Sequence, residues 1–270
     1  MRLKARDGFT EGMALNVKVV SEARVDKLAR VAASEDAENS NFSFDDWVRP
    51  IPGGAELTVS IDQSGIAAAF DEAQSPSITL PSGGQLHIDR TRALTVFDLD
   101  TSGRQGKGSA GARALSINRE AVSEMIRQMS LRGRGGLAVL DCVEPLNKHA
   151  RDELRDVARQ AFETCAIEGA KALAPSMLGL MEISLPWSFC PLEDTLLANP
   201  SESDLLDLLA AAARETTANP TAFYEIQLSE SVWQAYLERQ AETDAALKSS
   251  ASGRISVVPS DGTKNRIQKR

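Results

Sequence analysis

Asp98 and Asp100 stand at alternating positions where the mostly apolar stretch Ala93–Phe97 ends, and Asp141 closes a second apolar run, GLAVLD at 136–141. A strand sends alternate side chains to one face, so Asp98 and Asp100 leave the same side of a strand end. Carboxylates gathered there suit a hard divalent cation. Mg²⁺ takes one or two protein carboxylates, keeps several waters and accepts phosphate oxygens in its remaining positions; it can polarise a phosphodiester and activate a bound water. Just downstream, TSGRQGKGSAGA (101–112) is glycine-rich and carries Arg104 and Lys107, with Arg113 directly after it. Backbone amides and cations of such a loop hold a polyanion. The acids also have a plainer use. A strand-end aspartate commonly caps the turn that follows it, and spacing alone leaves both readings open.

The elements around these residues read as strand, loop, helix, strand. Arg92–Asp98 is a buried strand, and a helix follows the loop, capped by Ser116 or Asn118, with Val122, Met125, Ile126 and Met129 at helical spacing. It stops at Arg132–Gly136, where basic residues and glycines end helices, and Gly136–Asp141 is the second strand. A βαβ unit of this kind has parallel strands and a right-handed crossover. Parallel neighbours finish at one edge, so Asp98 and Asp141 come side by side although 43 positions separate them. Open α/β sheets hold their ligands at that edge.

The rest of the chain gives a coarser outline. Strands are expected at 15–20 (LNVKVV), 56–62 (ELTVSID), 177–185 (MLGLMEISL) and 222–228 (AFYEIQL). Helices are expected at 25–29, 65–73, Asn147–Leu173, Ser201–Thr216 and Ser229–Leu247, with breaks at 34–54, 75–81 and 186–195 and a frayed polar tail over the last twenty residues or so. The fold class is α/β (α+β overall), a mixed sheet built on the βαβ unit. Three regions are expected: an α+β region at 1–78, the catalytic region at 79–200, and an α/β extension at 201–270.

Composition narrows the function classes. The 30 basic and 38 acidic residues leave −8, which argues against a general nucleic-acid coat protein. Between Arg90 and Arg134, however, nine basic residues face four acidic ones, a local +5 against −13 elsewhere. A basic segment inside an acidic chain marks a candidate polyanion site. The three cysteines, Cys142, Cys165 and Cys190, form no CxxC motif, which fits a reducing, cytoplasmic compartment; no apolar run is long enough to span a membrane, and the first ten residues lack a signal-peptide core. His87 and His149 lie in no metal-binding spacing, His87 reads as an ordinary strand residue and Cys190 as a loop cysteine, and neither a GxSxG elbow nor a Walker loop is present.

Three segments carry a resemblance: LPSGGQLHIDRTRALTVFDLDTSGR (80–104), INREAVSEMIRQMSLRGRGGLAVLDCV (117–143) and LGLMEIS (178–184). They resemble, in order and spacing, the ribonuclease E/G family of bacterial RNA-processing endoribonucleases, over the deoxyribonuclease I-like catalytic subdomain at roughly residues 79–185. The resemblance implies a Mg²⁺-dependent endonuclease, with Mn²⁺ as an alternative ion, whose partner is single-stranded RNA. By position Asp98 and Asp141 fall on the family's metal-binding aspartates and Asp100 on an asparagine that orients the attacking water or phosphate. Arg104, Lys107 and Arg113 are the candidate RNA contacts. There are departures. Asp100 adds a charge, Arg92 replaces a glutamate, and Met177 and Leu185 replace arginines. Cys190–Pro191 lacks the second cysteine of the family's zinc link, so neither zinc nor a zinc-linked dimer is expected, and no S1 RNA-binding domain is expected either. A non-catalytic RNA-binding relative and an α/β domain with no RNA role are the other readings.

Overall fold

The computed structural model describes residues 2–3, 12–24, 27–34, 63–102 and 108–270. Two compact units divide between Asp194 and Thr195.

The first unit is built on a six-stranded sheet of order β4-β5-β6-β7-β9-β8, comprising β4 (Ser77–Thr79), β5 (Gln85–Arg90), β6 (Leu94–Asp100), β7 (Gly136–Asp141), β8 (Lys171–Ala172) and β9 (Leu180–Leu185). β6 and β7 are its parallel pair, and the other neighbours run antiparallel. Period-two alternation sorts each strand. Leu86, Ile88, Phe97, Leu99, Ala138, Leu140, Met181, Ile183 and Leu185 are buried on one face. Two helices, α2 (Ala110–Leu131) and α3 (Lys148–Thr164), share a core with that face through Ile117, Val122, Met125, Ile126, Leu154 and Phe162. The other face carries Asp98, Asp100 and Asp141, all exposed. The α/β architecture with its βαβ unit is therefore the observed fold.

Several elements differ from the sequence reading. α2 begins at Ala110, with Ser109 as its cap accepting from the Ala112 amide at 3.3 Å, rather than at Ser116 or Asn118. Three alanines in Ala110–Ala114 favour helix, so residues 110–112, expected in the glycine-rich loop, are helical. α3 ends at Thr164, not Leu173: Ala166 turns left-handed at φ 52°, and the Ile167 amide reaches back to the Phe162 carbonyl, a helix stop with no glycine to announce it. The break expected at 75–81 holds the edge strand β4, and that at 186–195 leads into α4 (Leu192–Ala198). The helix expected at 65–73 is α1 (Gln63–Gln74), and a small separate sheet joins β1 (Arg2–Leu3), β2 (Val17–Ser21) and β3 (Arg30–Ala33). Of the helix expected at 25–29, residues 27–29 are described and are not helical, Arg24 and Lys27 closing a bridge instead. The strand expected at 56–62 lies outside the described residues.

The second unit, Thr195–Arg270, places β10 (Tyr224–Leu228) between parallel β11 (Ile255–Pro259) and antiparallel β12 (Arg266–Lys269). The tail is thus strand rather than fray, because Ile255, Val257 and Ile267 supply the apolar positions that join its core. α5 (Pro200–Ala218) packs there too. The single helix expected over Ser229–Leu247 is two, α6 (Glu230–Glu238) and α7 (Gln240–Ala251), broken at Arg239, whose amide bonds the Tyr236 carbonyl three residues back.

Candidate active site

The last registered pair of β6 and β7 is Asp98 opposite Asp141. Both side chains leave the exposed face, with neighbouring strands about 5 Å apart. Two such charges repel by roughly 1 kcal/mol through water and several times more once a ligand excludes it. The pair is therefore tolerable in solvent and calls for a cation under a bound anion.

Asp100, two residues on, accepts the Ser102 amide at 2.7 Å. The Ser102 hydroxyl and amide hold its carboxyl below the ordinary range, with a smaller electrostatic contribution from His87. Asp100 thus caps its turn and presents a fixed negative charge beside Asp98. His87, read from sequence as an ordinary strand residue, lies on β5 in register with Asp98. No local signal marks this, since it depends on β5–β6 register.

Two close approaches finish the strand ends. Gly84 sits at φ +92°, and a Cβ there would meet the Asp100 carbonyl oxygen at 2.8 Å. Gly179 sits at φ +82°, and its carbonyl accepts the Cys142 amide at 3.0 Å. The turn before β5 is tied to α2 by Ser82, whose amide and hydroxyl both donate to Glu120, at 3.1 and 2.6 Å. Next to Asp141, the Cys142 thiol is buried, and that burial pushes its pKa up to about 12; it is no nucleophile at neutral pH.

The basic segment is not one patch. Arg119 pairs with Glu153 at 2.6 Å, and Arg127 with Glu124 at 2.8 Å and with Glu72. Arg134 pairs with Glu193, and Arg90 with Asp194 at 2.5 Å and with Glu193. Arg132 is buried, donates to Gln128 and to the carbonyls of Glu72 and Ser75, and burial lowers its pKa to about 10. Each of these arginines has a partner within the first unit, and of them Arg132 and Arg134 are buried. Arg113, in the first turn of α2, is exposed and donates to the Gly108 carbonyl at 2.6 Å, next to the Ser109 cap. Arg104 and Lys107 lie outside the described residues. Of the two positions read as lost arginine contacts, Met177 is exposed and Leu185 is core, so Leu185 takes its identity from packing.

Among the described residues no three His, Cys, Asp or Glu side chains converge as a metal cluster. The protein oxygens that a divalent cation would find at this strand end are the two carboxylates of Asp98 and Asp141. That is the donor set Mg²⁺ takes when water and phosphate complete its shell, and the pair fits it.

Residues 18–185 match the model of the Ribonuclease E/G family. The chain belongs to this family. It is similar to Ribonuclease E of Buchnera aphidicola subsp. Acyrthosiphon pisum (strain APS), 30% identical over 216 residues, 72% of this chain and 23% of that protein. It is also similar to Ribonuclease E of Escherichia coli (strain K12), 34% identical over 124 residues, 44% of this chain and 11% of the relative. Ribonuclease G of the same strain is 30% identical over 115 residues, 43% of this chain and 23% of the relative. The chain spans less than a quarter of the length of these Ribonuclease E/G relatives.

Proposed function

We propose that this chain is a Mg²⁺-dependent endoribonuclease that cleaves single-stranded RNA in the cytoplasm. The observation that carries the proposal is the register pairing of Asp98 with Asp141 on the exposed sheet face. Membership of the Ribonuclease E/G family supports RNA as substrate. When bound, Mg²⁺ supplies polarisation of a phosphoryl oxygen and a water of lowered pKa. Asp98 and Asp141 are the protein oxygens that hold it, and Asp100, fixed by Ser102, orients what lies beside Asp98. Arg113 with Arg104 and Lys107 neutralises the flanking phosphates, a term that weakens with salt. Hydrolysis forms a bond from water oxygen to phosphorus and breaks one phosphorus–oxygen ester bond, the departing oxygen taking up a proton. The three free cysteines are consistent with a reducing compartment, and among the described residues no helix is long and apolar enough to cross a membrane.

A catalytically silent RNA-binding relative is the second reading. Asp100 favours it, because a carboxylate held ionised next to Asp98 repels the phosphate that must approach. Incubation of the protein with a 5′-monophosphorylated single-stranded RNA, its duplex and the matching DNA, in Mg²⁺ or in EDTA, separates the two. Mg²⁺-dependent cutting of the single-stranded RNA alone supports the enzyme. Salt-sensitive binding with no product in Mg²⁺ or Mn²⁺ supports the silent relative.

A further inference from the structure

Asn118 is a fully buried amide on the apolar face of α2, among Ile117, Ala121, Val122 and Met125. A buried amide in such surroundings is unfavourable unless its groups are paired. Both are, and both with one residue: Asn118 Nδ2 donates to the Val143 carbonyl at 2.9 Å, and the Val143 amide donates to Asn118 Oδ1 at 3.0 Å. Val143 is two residues past Asp141, where the β6–β7 ladder has ended at the Asp98–Asp141 pair. On the other side the Cys142 amide is held by the Gly179 carbonyl. The side chain of Asn118 therefore replaces the missing strand partner, at the point where β7 would otherwise fray. α2 is also the crossover that connects β6 to β7, so one rigid helix links the strand of Asp98 to the exit of Asp141.

We propose that Asn118 is a positioning residue: by holding Val143 with both amide groups it fixes the direction in which Asp141 faces Asp98, and so sets the affinity of the pair for a divalent cation. This rests on the reading of Asp98 and Asp141 as the metal-holding acids.

The test is Mn²⁺ binding by electron paramagnetic resonance, without RNA, in the wild type, Asn118→Leu, the core control Val122→Ala, and Asp98→Asn/Asp141→Asn. Melting temperatures and RNA affinity in EDTA are measured in parallel. Asn118→Leu is expected to weaken Mn²⁺ binding about tenfold with RNA affinity unchanged, while Val122→Ala lowers the melting temperature and leaves Mn²⁺ binding as in the wild type. Should Asn118→Leu fail to fold, Asn118→Ala, a smaller neutral residue that removes both bonds to Val143 without overpacking the core, carries the same expectation. Unchanged Mn²⁺ affinity in a folded Asn118 variant, or an equal loss in Val122→Ala, overturns the positioning role. Mn²⁺ binding that survives in Asp98→Asn/Asp141→Asn overturns the metal reading itself, and the positioning role with it.

Discussion

At the end of the sheet where β7 begins, Arg134 lies buried against Glu193, and Arg90 reaches both Glu193 and Asp194. At the end where β7 finishes, Asp98 and Asp141 stand carboxylate beside carboxylate in solvent. The two ends of one sheet thus carry opposite arrangements of charge. Opposite charges brought together and desolvated hold neighbouring segments in place, here the stretch after β9 against the start of β7. Like charges brought together stabilise nothing by themselves, and a fold that spends two neighbouring strand ends on them points to a ligand of the other sign.

Four variants and probes bear on this contrast. Arg134→Met removes one of the two arginine partners of Glu193 and leaves it Arg90, and urea unfolding of the first unit's transition should show a loss of about 2 kcal/mol. Asp98→Asn, at the other end, should leave stability within about 0.5 kcal/mol of the wild type or raise it, since it removes repulsion; a loss equal to that of Arg134→Met would erase the distinction. Gly84→Ala drives a Cβ toward the Asp100 carbonyl at a φ that alanine disfavours, with an expected cost of about 2 kcal/mol by the same measurement. Arg113→Ala should reduce the slope of log affinity for single-stranded RNA against log salt by about 0.7, the value for one phosphate contact. An unchanged slope would remove Arg113 from the RNA-binding surface.

The smallest effect concerns Cys142. With its pKa raised to about 12 in the fold from an ordinary 9.0, the thiol favours folding fully below pH 9, and that contribution falls as pH rises toward 12. At neutral pH a maleimide should label Cys190 and leave Cys142 unmodified until denaturant is added. Labelling of native Cys142 at the rate of Cys190 would contradict its burial.

The βαβ unit was legible because its signals are local. GLAVLD reads as a strand that ends in an acid, Val122, Met125, Ile126 and Met129 mark one helix face, and a crossover of this length puts both acids at one edge. What escaped depends on partners far along the chain. Arg90 and Arg134 look like part of a basic patch until Glu193 and Asp194 meet them from about 100 and 59 positions away. His87 is unremarkable until β5 registers against Asp98. Asn118 reads as a cap because asparagine favours helix starts, yet Ser109 takes that role and the buried amide is spent on Val143. The tail read as frayed because its polar residues outnumber its apolar ones, and only pairing on β10 gives Ile255 and Ile267 somewhere to go.

On the proposed reading of the site, Asp98 and Asp141 work as one unit. Its most direct test is the single-turnover rate on a 5′-monophosphorylated single-stranded RNA in Mg²⁺, for the wild type, Asp98→Asn, Asp141→Asn and the double variant. Each single variant should lose at least about 10³-fold and the double should be no slower than either, the non-additivity of residues that act together. A near-wild-type rate in either single variant, or independent losses that multiply in the double, would contradict it.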